Sequence, residues 1–373
     1  MRVLKTFALV ACGFESHRRQ NMNNDFYVTQ EAERLFGLLL DVDCMSGSKW
    51  TYERCLEIAP LTLEINTIKR QQNAIILAHS YVNPEIVYGV ADYRSDSYAL
   101  SLAARDSGAN IILFAGVVFM AETAKILSPD ATVLVPDSES GCSLADSLSG
   151  DQLRKLKLQH PNAAVVCYIN SSVEVKAESD ICVTSGNAYD IMVALPEREI
   201  LFVPDALMAR NLQIELQRAG KDKIIYSNDG TCIVHDQFSS AMIEQERARY
   251  PDLVVVSHPE CSSDIVEHSD FVGSTSSMMK FVNETEAPYF MVLTECGLVS
   301  RLEAENSDKR FIASCKLCPY MKLNSLRKIH STLTAPQPDQ IIEVEPHVAV
   351  QAKATIDRMF DLTPAKAFQW ARQ

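Results

Sequence analysis

From Asn73 onward, short apolar runs alternate with longer stretches of helical spacing, the signal for parallel α/β layers. The runs fall into three groups. The first comprises residues 74–78, 111–115 and 133–135, with a helix carrying Tyr98, Leu102 and Ala103 between its first two members. The second comprises 164–169, 181–183, 200–203 and 224–226, and the third 253–256, 271–272, 290–293 and 311–313. Polar residues follow nearly every run: His79-Ser80-Tyr81, Asn170-Ser171-Ser172, Thr184-Ser185-Gly186-Asn187, His258-Pro259-Glu260 and Ser274-Thr275-Ser276. Parallel sheets would crowd these loops onto one edge, which is therefore the expected active face. Ahead of Asn73, Thr29 is expected to cap a helix carrying Ala32, Leu35, Phe36 and Leu39. Residues 41–59 read as loop, and Pro60 as the opening of a helix with Leu61, Ile65 and Ile68 on one face. A closing helix starts near Pro346 and buries Ile356, Met359 and Phe360.

One hexapeptide organises the rest. Gly141-Cys142-Ser143-Leu144-Ala145-Asp146 follows the apolar run 132–135. Gly141 permits a tight turn, and Ser143 and Asp146 suit a helix start, so Cys142 is expected between a strand end and a helix start. Cys232, after Asp229-Gly230-Thr231, and Cys318, before Pro319, recur in comparable settings at intervals of 90 and 86 residues. One such cysteine per near-equal third points to three similar modules presenting three thiolates to one centre; the alternative is three buried apolar thiols. A thiolate-rich set favours zinc or iron–sulfur over magnesium or calcium. Three thiolates leave one corner of a [4Fe–4S] cubane without a protein ligand, and an open iron is a Lewis acid. Cys167 and Cys182 lie inside apolar strands and read as core, Cys261 and Cys296 stay open as ligands, and Cys315-Lys316-Leu317-Cys318 is a single CxxC.

Composition narrows the function classes. Of 373 residues, 35 are basic and 48 acidic, a net charge of −13 with no basic stripe, so nucleic acid is not an expected partner. No apolar run is long enough to span a membrane. The start, ending Leu9-Val10-Ala11-Cys12, resembles an export signal superficially, but its apolar stretch is short and interrupted by Lys5. Eleven cysteines without a convincing export signal fit metal or catalytic use in the reducing cytoplasm. No phosphate loop or dinucleotide fingerprint is present. On the expected face, His79, His235 and His258 are candidates for substrate binding or acid/base work. Glu260 is a candidate general acid/base if burial moves its pKa toward neutrality. The Ser/Thr pairs and Asp96-Ser97 read either as helix caps or as donors to carboxylate or phosphate.

Taken together, these residues resemble the quinolinate synthase family over roughly residues 70–345. The resemblance rests on Ala78-His79-Ser80-Tyr81, Ser95-Asp96-Ser97, Phe119-Met120-Ala121-Glu122, Gly141-Cys142-Ser143, Tyr168-Ile169-Asn170, Val175-Lys176-Ala177, Thr184-Ser185-Gly186-Asn187, Gly230-Thr231-Cys232-Ile233-Val234-His235, His258-Pro259-Glu260-Cys261, Gly273-Ser274-Thr275, Thr294-Glu295 and Cys318-Pro319-Tyr320-Met321-Lys322. It implies three pseudo-symmetric αβα sandwich domains with parallel sheets around a central [4Fe–4S] cluster held by Cys142, Cys232 and Cys318. The corresponding division is an extension over 1–70, domains over 71–162, 163–250 and 251–340, and a C-terminal helix over 341–373. It also implies condensation of iminoaspartate with dihydroxyacetone phosphate to quinolinate, for NAD biosynthesis, with possible handover of iminoaspartate from an oxidase or dehydrogenase. By position, Glu260, Tyr81 and His235 match catalytic residues, and His79, Asp96, Ser97, Tyr168, Asn170, Ser185, His258, Ser274 and Thr275 match substrate-binding ones. Departures at Val118, Ser140 and Asn228 remove no ligand or acid/base residue. The alternatives are a diphthamide-type radical enzyme, an isoprenoid reductase, and a zinc-binding scaffold. The CxxC adds one expectation, that oxidation draws Cys318 into a disulfide with Cys315.

Overall fold

Strand order repeats in three successive sheets of the computed structural model, which describes residues 25–42, 49–312, 315–363 and the backbone of 370–371. The first sheet contains β1 (Ala74–His79), β2 (Tyr93–Ser95), β3 (Ile111–Ala115) and β4 (Thr132–Leu134), in the order β2-β1-β3-β4. The second contains β5 (Ala164–Tyr168), β6 (Ile181–Val183), β7 (Glu199–Val203) and β8 (Ile224–Ser227), ordered β6-β5-β7-β8. The third contains β9 (Leu253–Ser257), β10 (Phe271–Val272), β11 (Tyr289–Leu293) and β12 (Arg310–Phe311), ordered β10-β9-β11-β12. All pairings among these twelve strands are parallel. Helices cover both faces, which is why the central strands read as unbroken apolar runs rather than alternating ones. The fold is thus three αβα sandwiches, as expected.

Two strands escape the hydrophobic pattern. β2 is a short polar edge strand, Tyr93-Arg94-Ser95, bonded on one side only to β1. A fifth strand of the third sheet, β13 (Trp370–Ala371), pairs antiparallel with β10.

The segment before the first sheet also differs from expectation. Thr29 lies within a helix over 25–39, its hydroxyl donating to the Asp25 carbonyl at 2.9 Å, and so caps nothing. Pro60 lies inside the helix Tyr52–Gln72, which starts earlier because the Thr51 hydroxyl caps the Arg54 N–H at 3.2 Å. That helix ends on Asn73 in the left-handed conformation, φ 51°, directly before β1. Ala32, Leu35, Leu39, Ala59 and Ile65 pack into the core of the first sheet, so this extension supplies part of its helical layer. The export-like start lies outside the described residues. Among the described residues, no helix is long and apolar enough to cross a membrane.

The three cysteine turns are built alike. Val118 N–H donates to Ser140 O at 2.8 Å, Ala206 N–H to Gly230 O at 2.8 Å, and Cys296 N–H to Lys316 O at 3.1 Å. Each acceptor stands two residues before Cys142, Cys232 or Cys318. Each cysteine carbonyl then accepts an N–H four residues on, from Asp146, Asp236 and Lys322, and opens a 3₁₀ turn. The helix after each turn packs on the next unit. Leu153 of Gly150–Gln159 joins Val165 and Leu201 of the second sheet. The helix Ser240–Arg249 packs on β9, and Leu326, Ile329 and Leu333 of Leu326–Thr334 pack on the first core. The three units therefore close into a ring with the cysteine turns inside. The closing helix, Pro346–Leu362, buries Ile356 and Met359, half-buries Phe360, and packs on the second sheet.

Candidate active site

A single cavity lies where the carboxyl ends of the three sheets meet. Of the residues singled out from the sequence, it is lined by His79, Tyr81, Asp96, Ser97, Tyr168, Asn170, Ser185, His235, His258, Glu260, Thr275, Cys142, Cys232 and Cys318. Ser274 is the exception. Its hydroxyl caps its own helix, accepting from Ser277 N–H at 3.3 Å, and so orients Thr275. Asp96 caps Ser97–Asp106 in the same way, accepting from Ala99 N–H at 3.1 Å. Two ten-residue helices thus begin at the cavity with Ser97 and Thr275 as their first residues.

Cys142, Cys232 and Cys318 are free thiols facing this space. Burial pushes Cys142 up to about 12, Cys232 far above its ordinary range, and Cys318 upward. Two backbone N–H groups oppose that shift at every sulfur: Leu144 and Ala145, Val234 and His235, Tyr320 and Met321. These turns are thus shaped to receive thiolates, while the low-dielectric surroundings forbid thiolates without a cation beside them. A thiolate-binding metal group satisfies both conditions, so the residues fit one. Cys232, His235 and Glu260 also place ligand atoms within 4.8 Å of one another. There, however, His235 Nδ1 and Glu260 Oε2 stand 2.8 Å apart and are hydrogen-bonded to each other.

The remaining cysteines are sorted by packing. Cys167 and Cys182 face one another in the β5–β6 register, fully buried, as the core reading expected. Cys261 is a buried thiol directed at the Leu293 carbonyl. The expected pairing of Cys315 with Cys318 is overturned: Cys315 is disulfide-bonded to Cys296, with Cα atoms 4.9 Å apart, and Cys318 is free. The parallel bridge between Glu295 and Lys316 brings Cys296 beside Cys315, whereas Cys318 turns inward.

Beside the cysteines runs a hydrogen-bonded chain. Tyr168 Oη donates to Glu260 Oε1 at 2.5 Å. Glu260 Oε2 meets His235 Nδ1 at 2.8 Å; His235 Nε2 meets Thr294 Oγ1 at 2.9 Å; Thr294 Oγ1 meets Tyr81 Oη at 2.8 Å. Tyr81 Oη also meets Thr275 Oγ1 at 3.1 Å. Burial opposes ionisation of Glu260, but attraction to His235 and His258 and hydrogen bonds from His235 and Tyr168 outweigh it, bringing the carboxyl to about 2. The condition set for Glu260 is therefore reversed. Its pKa moves away from neutrality because the His235 Nδ1–H and the Tyr168 hydroxyl both donate to it, and it starts as a base. With Glu260 a carboxylate, His235 carries its proton on Nδ1, Nε2 accepts from Thr294, and Thr294 accepts from Tyr81. Burial raises both phenols, and the Glu260 charge adds to this, so both hydroxyls start protonated. Thr294, fully buried at the end of β11, is a site residue to which the sequence alone assigns no role. Its signal was the one shared by its neighbours, a polar residue directly after an apolar run.

His79 and His258 behave differently. Tyr81 N–H donates to His79 Nδ1 at 3.2 Å and Glu260 N–H to His258 Nδ1 at 3.4 Å. Both rings are then neutral with Nε2–H free to donate, and His258 Nε2 meets Ser185 Oγ at 3.2 Å. Burial lowers each to about 3, with neighbouring histidines adding to the shift. In the unfolded chain they take up protons below about 6.5. Their stabilisation is full above that pH and declines as pH falls toward 3, by about 1.4 kcal/mol per pH unit for each ring. Glu260, depressed as well, adds stability above about 4.3 that is lost as pH falls toward 2. The urea midpoint is therefore expected to drop between pH 7.5 and pH 5, and less steeply in His258→Gln. A midpoint insensitive to pH over that range contradicts the buried neutral rings.

Three parallel αβα units with thiols, two neutral imidazoles and a carboxylate–imidazole–hydroxyl relay at their common centre define an enzyme that acts on a small polar molecule. The family model for the quinolinate synthetase A protein matches residues 63–361. The chain is 43% identical over 292 residues to quinolinate synthase 2 of Mesorhizobium japonicum, covering 78% of this chain and 88% of that one. It is 40% identical over 310 residues to the quinolinate synthase of Caulobacter vibrioides, covering 82% and 83%. With the quinolinate synthase of Clostridium perfringens it shares 43% over 301 residues, covering 80% and 98%. The chain belongs to the quinolinate synthase family.

Proposed function

We propose that this chain condenses iminoaspartate with dihydroxyacetone phosphate, releasing phosphate and two waters, to form quinolinate for NAD biosynthesis. The observation that carries the proposal is the convergence of three equivalent cysteine turns beside the Tyr81–Thr294–His235–Glu260 chain. Cys142, Cys232 and Cys318 would hold a [4Fe–4S] cluster. When bound, it supplies an open iron that acts as a Lewis acid on substrate oxygen. The protein's own residues supply the rest. Both substrates are anionic, and the helix starts at Ser97 and Thr275 offer N–H groups and a positive dipole end to carboxylate or phosphate. His79, Asn170, Tyr168 and the His258–Ser185 pair add polar contacts around the same space, with Asp96 and Ser274 fixing the two helix starts. Proton transfer falls to Tyr81, whose hydroxyl can pass its proton through Thr294 to His235, with Glu260 stabilising the imidazolium that results. Free thiols and a cluster of this kind suit the reducing cytoplasm, and an oxidase or dehydrogenase would supply the iminoaspartate.

The test is quinolinate formation, read by mass spectrometry, from anaerobically purified protein given dihydroxyacetone phosphate and freshly generated iminoaspartate. Product is expected. Its absence from protein with a full complement of iron and sulfide overturns the reading and turns attention to the radical-enzyme and reductase alternatives. Zinc without sulfide would instead favour a scaffold.

A further inference from the structure

The third cysteine turn carries a connection that the other two lack. Glu295, fully buried, spreads its carboxylate over three partners. Oε1 accepts from Cys318 N–H at 3.1 Å and pairs with Lys322 Nζ at 2.9 Å, while Oε2 accepts from Gly297 N–H at 2.5 Å. Lys322 Nζ also donates to the Tyr81 carbonyl at 2.5 Å. One ion pair with a fully buried carboxylate thereby joins the backbone of Cys318 to the backbone of Tyr81, 241 residues away along the chain from Lys322. The packing here is close: a Cβ on Gly297 would stand 2.6 Å from Tyr81 O and 2.7 Å from its Cα. The same segment is pinned by Lys316 N–H to Thr294 O at 3.2 Å and by the Cys296–Cys315 disulfide. At the equivalent strand end of the second unit, Asp205 uses its shorter side chain on Met208 N–H at 2.8 Å. In the first unit the position is Val117.

We infer that Glu295 and Lys322 are positioning residues that hold the Cys318 turn and the Tyr81 main chain in register, so that the third thiolate and the relay hydroxyl address the same substrate. The inference rests on the proposed function, in which Cys318 is a ligand and Tyr81 moves a proton. Glu295 edges the central cavity, but its carboxylate is spent on these three partners, and Lys322 does not line the cavity. Because Glu295 is fully buried and Lys322 only partly exposed, removing the lysine leaves a buried carboxylate uncompensated, whereas removing both charges together avoids most of that penalty. Stability and register can thus be separated.

The experiment compares the unchanged chain, Lys322→Met, and the double variant Glu295→Gln/Lys322→Met, each reconstituted anaerobically. Four quantities are read: thermal midpoint, iron and sulfide per chain, the electron paramagnetic resonance spectrum of the reduced cluster, and kcat and KM for quinolinate formation. Lys322→Met is expected to lower the midpoint, and the double variant to recover part of it, since an amide offers one acceptor oxygen where the carboxylate met two N–H groups. In the double variant, kcat per bound cluster stays down by about tenfold to a hundredfold, the scale of an ångström-level misplacement. Its resonance spectrum is shifted from that of the unchanged chain. Native kcat per cluster with a native spectrum in the double variant overturns the inference. So does a loss of kcat that merely follows lost iron. An unchanged chain that binds iron and sulfide but forms no quinolinate instead defeats the functional reading, and the spectral comparison then still decides whether the pair positions Cys318.

Discussion

On the proposed ligand set, replacing any one of Cys142, Cys232 and Cys318 by alanine is expected to remove most of the iron and sulfide that the chain binds, and with it all measurable quinolinate formation. The three sulfurs occupy equivalent turns, each facing the cavity and each met by two backbone N–H groups. None is redundant, because each comes from a different unit of the ring. A cubane with three protein ligands already has one open iron, and a second open corner leaves two adjacent metals to solvent. The control is Cys182→Ala, since Cys182 is fully buried in β6 against Cys167 and does not line the cavity. That change costs stability, about 1–2 kcal/mol on the scale of small core truncations, and keeps the iron. Chemical analysis of iron and sulfide per chain, alongside the mass-spectrometric product assay, checks the set. Full iron and sulfide in Cys318→Ala would move the ligand set elsewhere, with Cys232, His235 and Glu260 as the first group to test.

The second large effect is expected at Thr294. Its hydroxyl joins the His235 ring to the Tyr81 hydroxyl, at 2.9 Å and 2.8 Å. Thr294→Val keeps the shape and deletes the oxygen, so Tyr81 loses its route to the base and His235 Nε2 loses its donor. General acid–base steps are worth about 10²–10⁴-fold, and kcat is expected to fall within that range while KM changes little. Thr294→Ser restores the oxygen and most of the rate. Glu260→Gln breaks the same relay at its other end, because an amide cannot stabilise the imidazolium. The double variant Thr294→Val/Glu260→Gln should be little worse than either single change, since residues that act as a unit are not additive. Steady-state kinetics with saturating iminoaspartate and dihydroxyacetone phosphate reads all four variants. A Thr294→Val chain with near-native kcat removes the relay from the mechanism.

Glu260 shows how far local reasoning reaches. The segment His258-Pro259-Glu260 at the end of an apolar run marked it as a site residue, and the cavity contains it. Its ionisation could not be read there. Burial alone raises a carboxyl, and the sign is reversed by His258 of the same segment together with His235 and Tyr168, which arrive from a turn 25 residues away and a strand end 92 residues away. Cys315 is a second case. The CxxC spacing put Cys318 nearest in sequence, yet the strand-end bridge of Glu295 to Lys316 delivers Cys296 instead. Pro60 is a third, since its helix already begins at Tyr52, capped by Thr51, and the proline is carried inside it.

What the chain's sequence determined by itself is what depends on short-range pattern. Apolar runs of strand length, separated by helical spacing, specify parallel layers, because strands buried on both faces must be apolar throughout. Gly141, Gly230 and Pro319 place three cysteines in turns, and their near-equal spacing announces three like modules. Tertiary structure alone decided which groups face each other across those modules. Tyr81 and Thr294 are 213 residues apart and come from different sheets, and only closure of the ring puts their hydroxyls in contact. Charge state, proton direction and disulfide partner all follow from such meetings, because they depend on the burial and the neighbours that packing supplies.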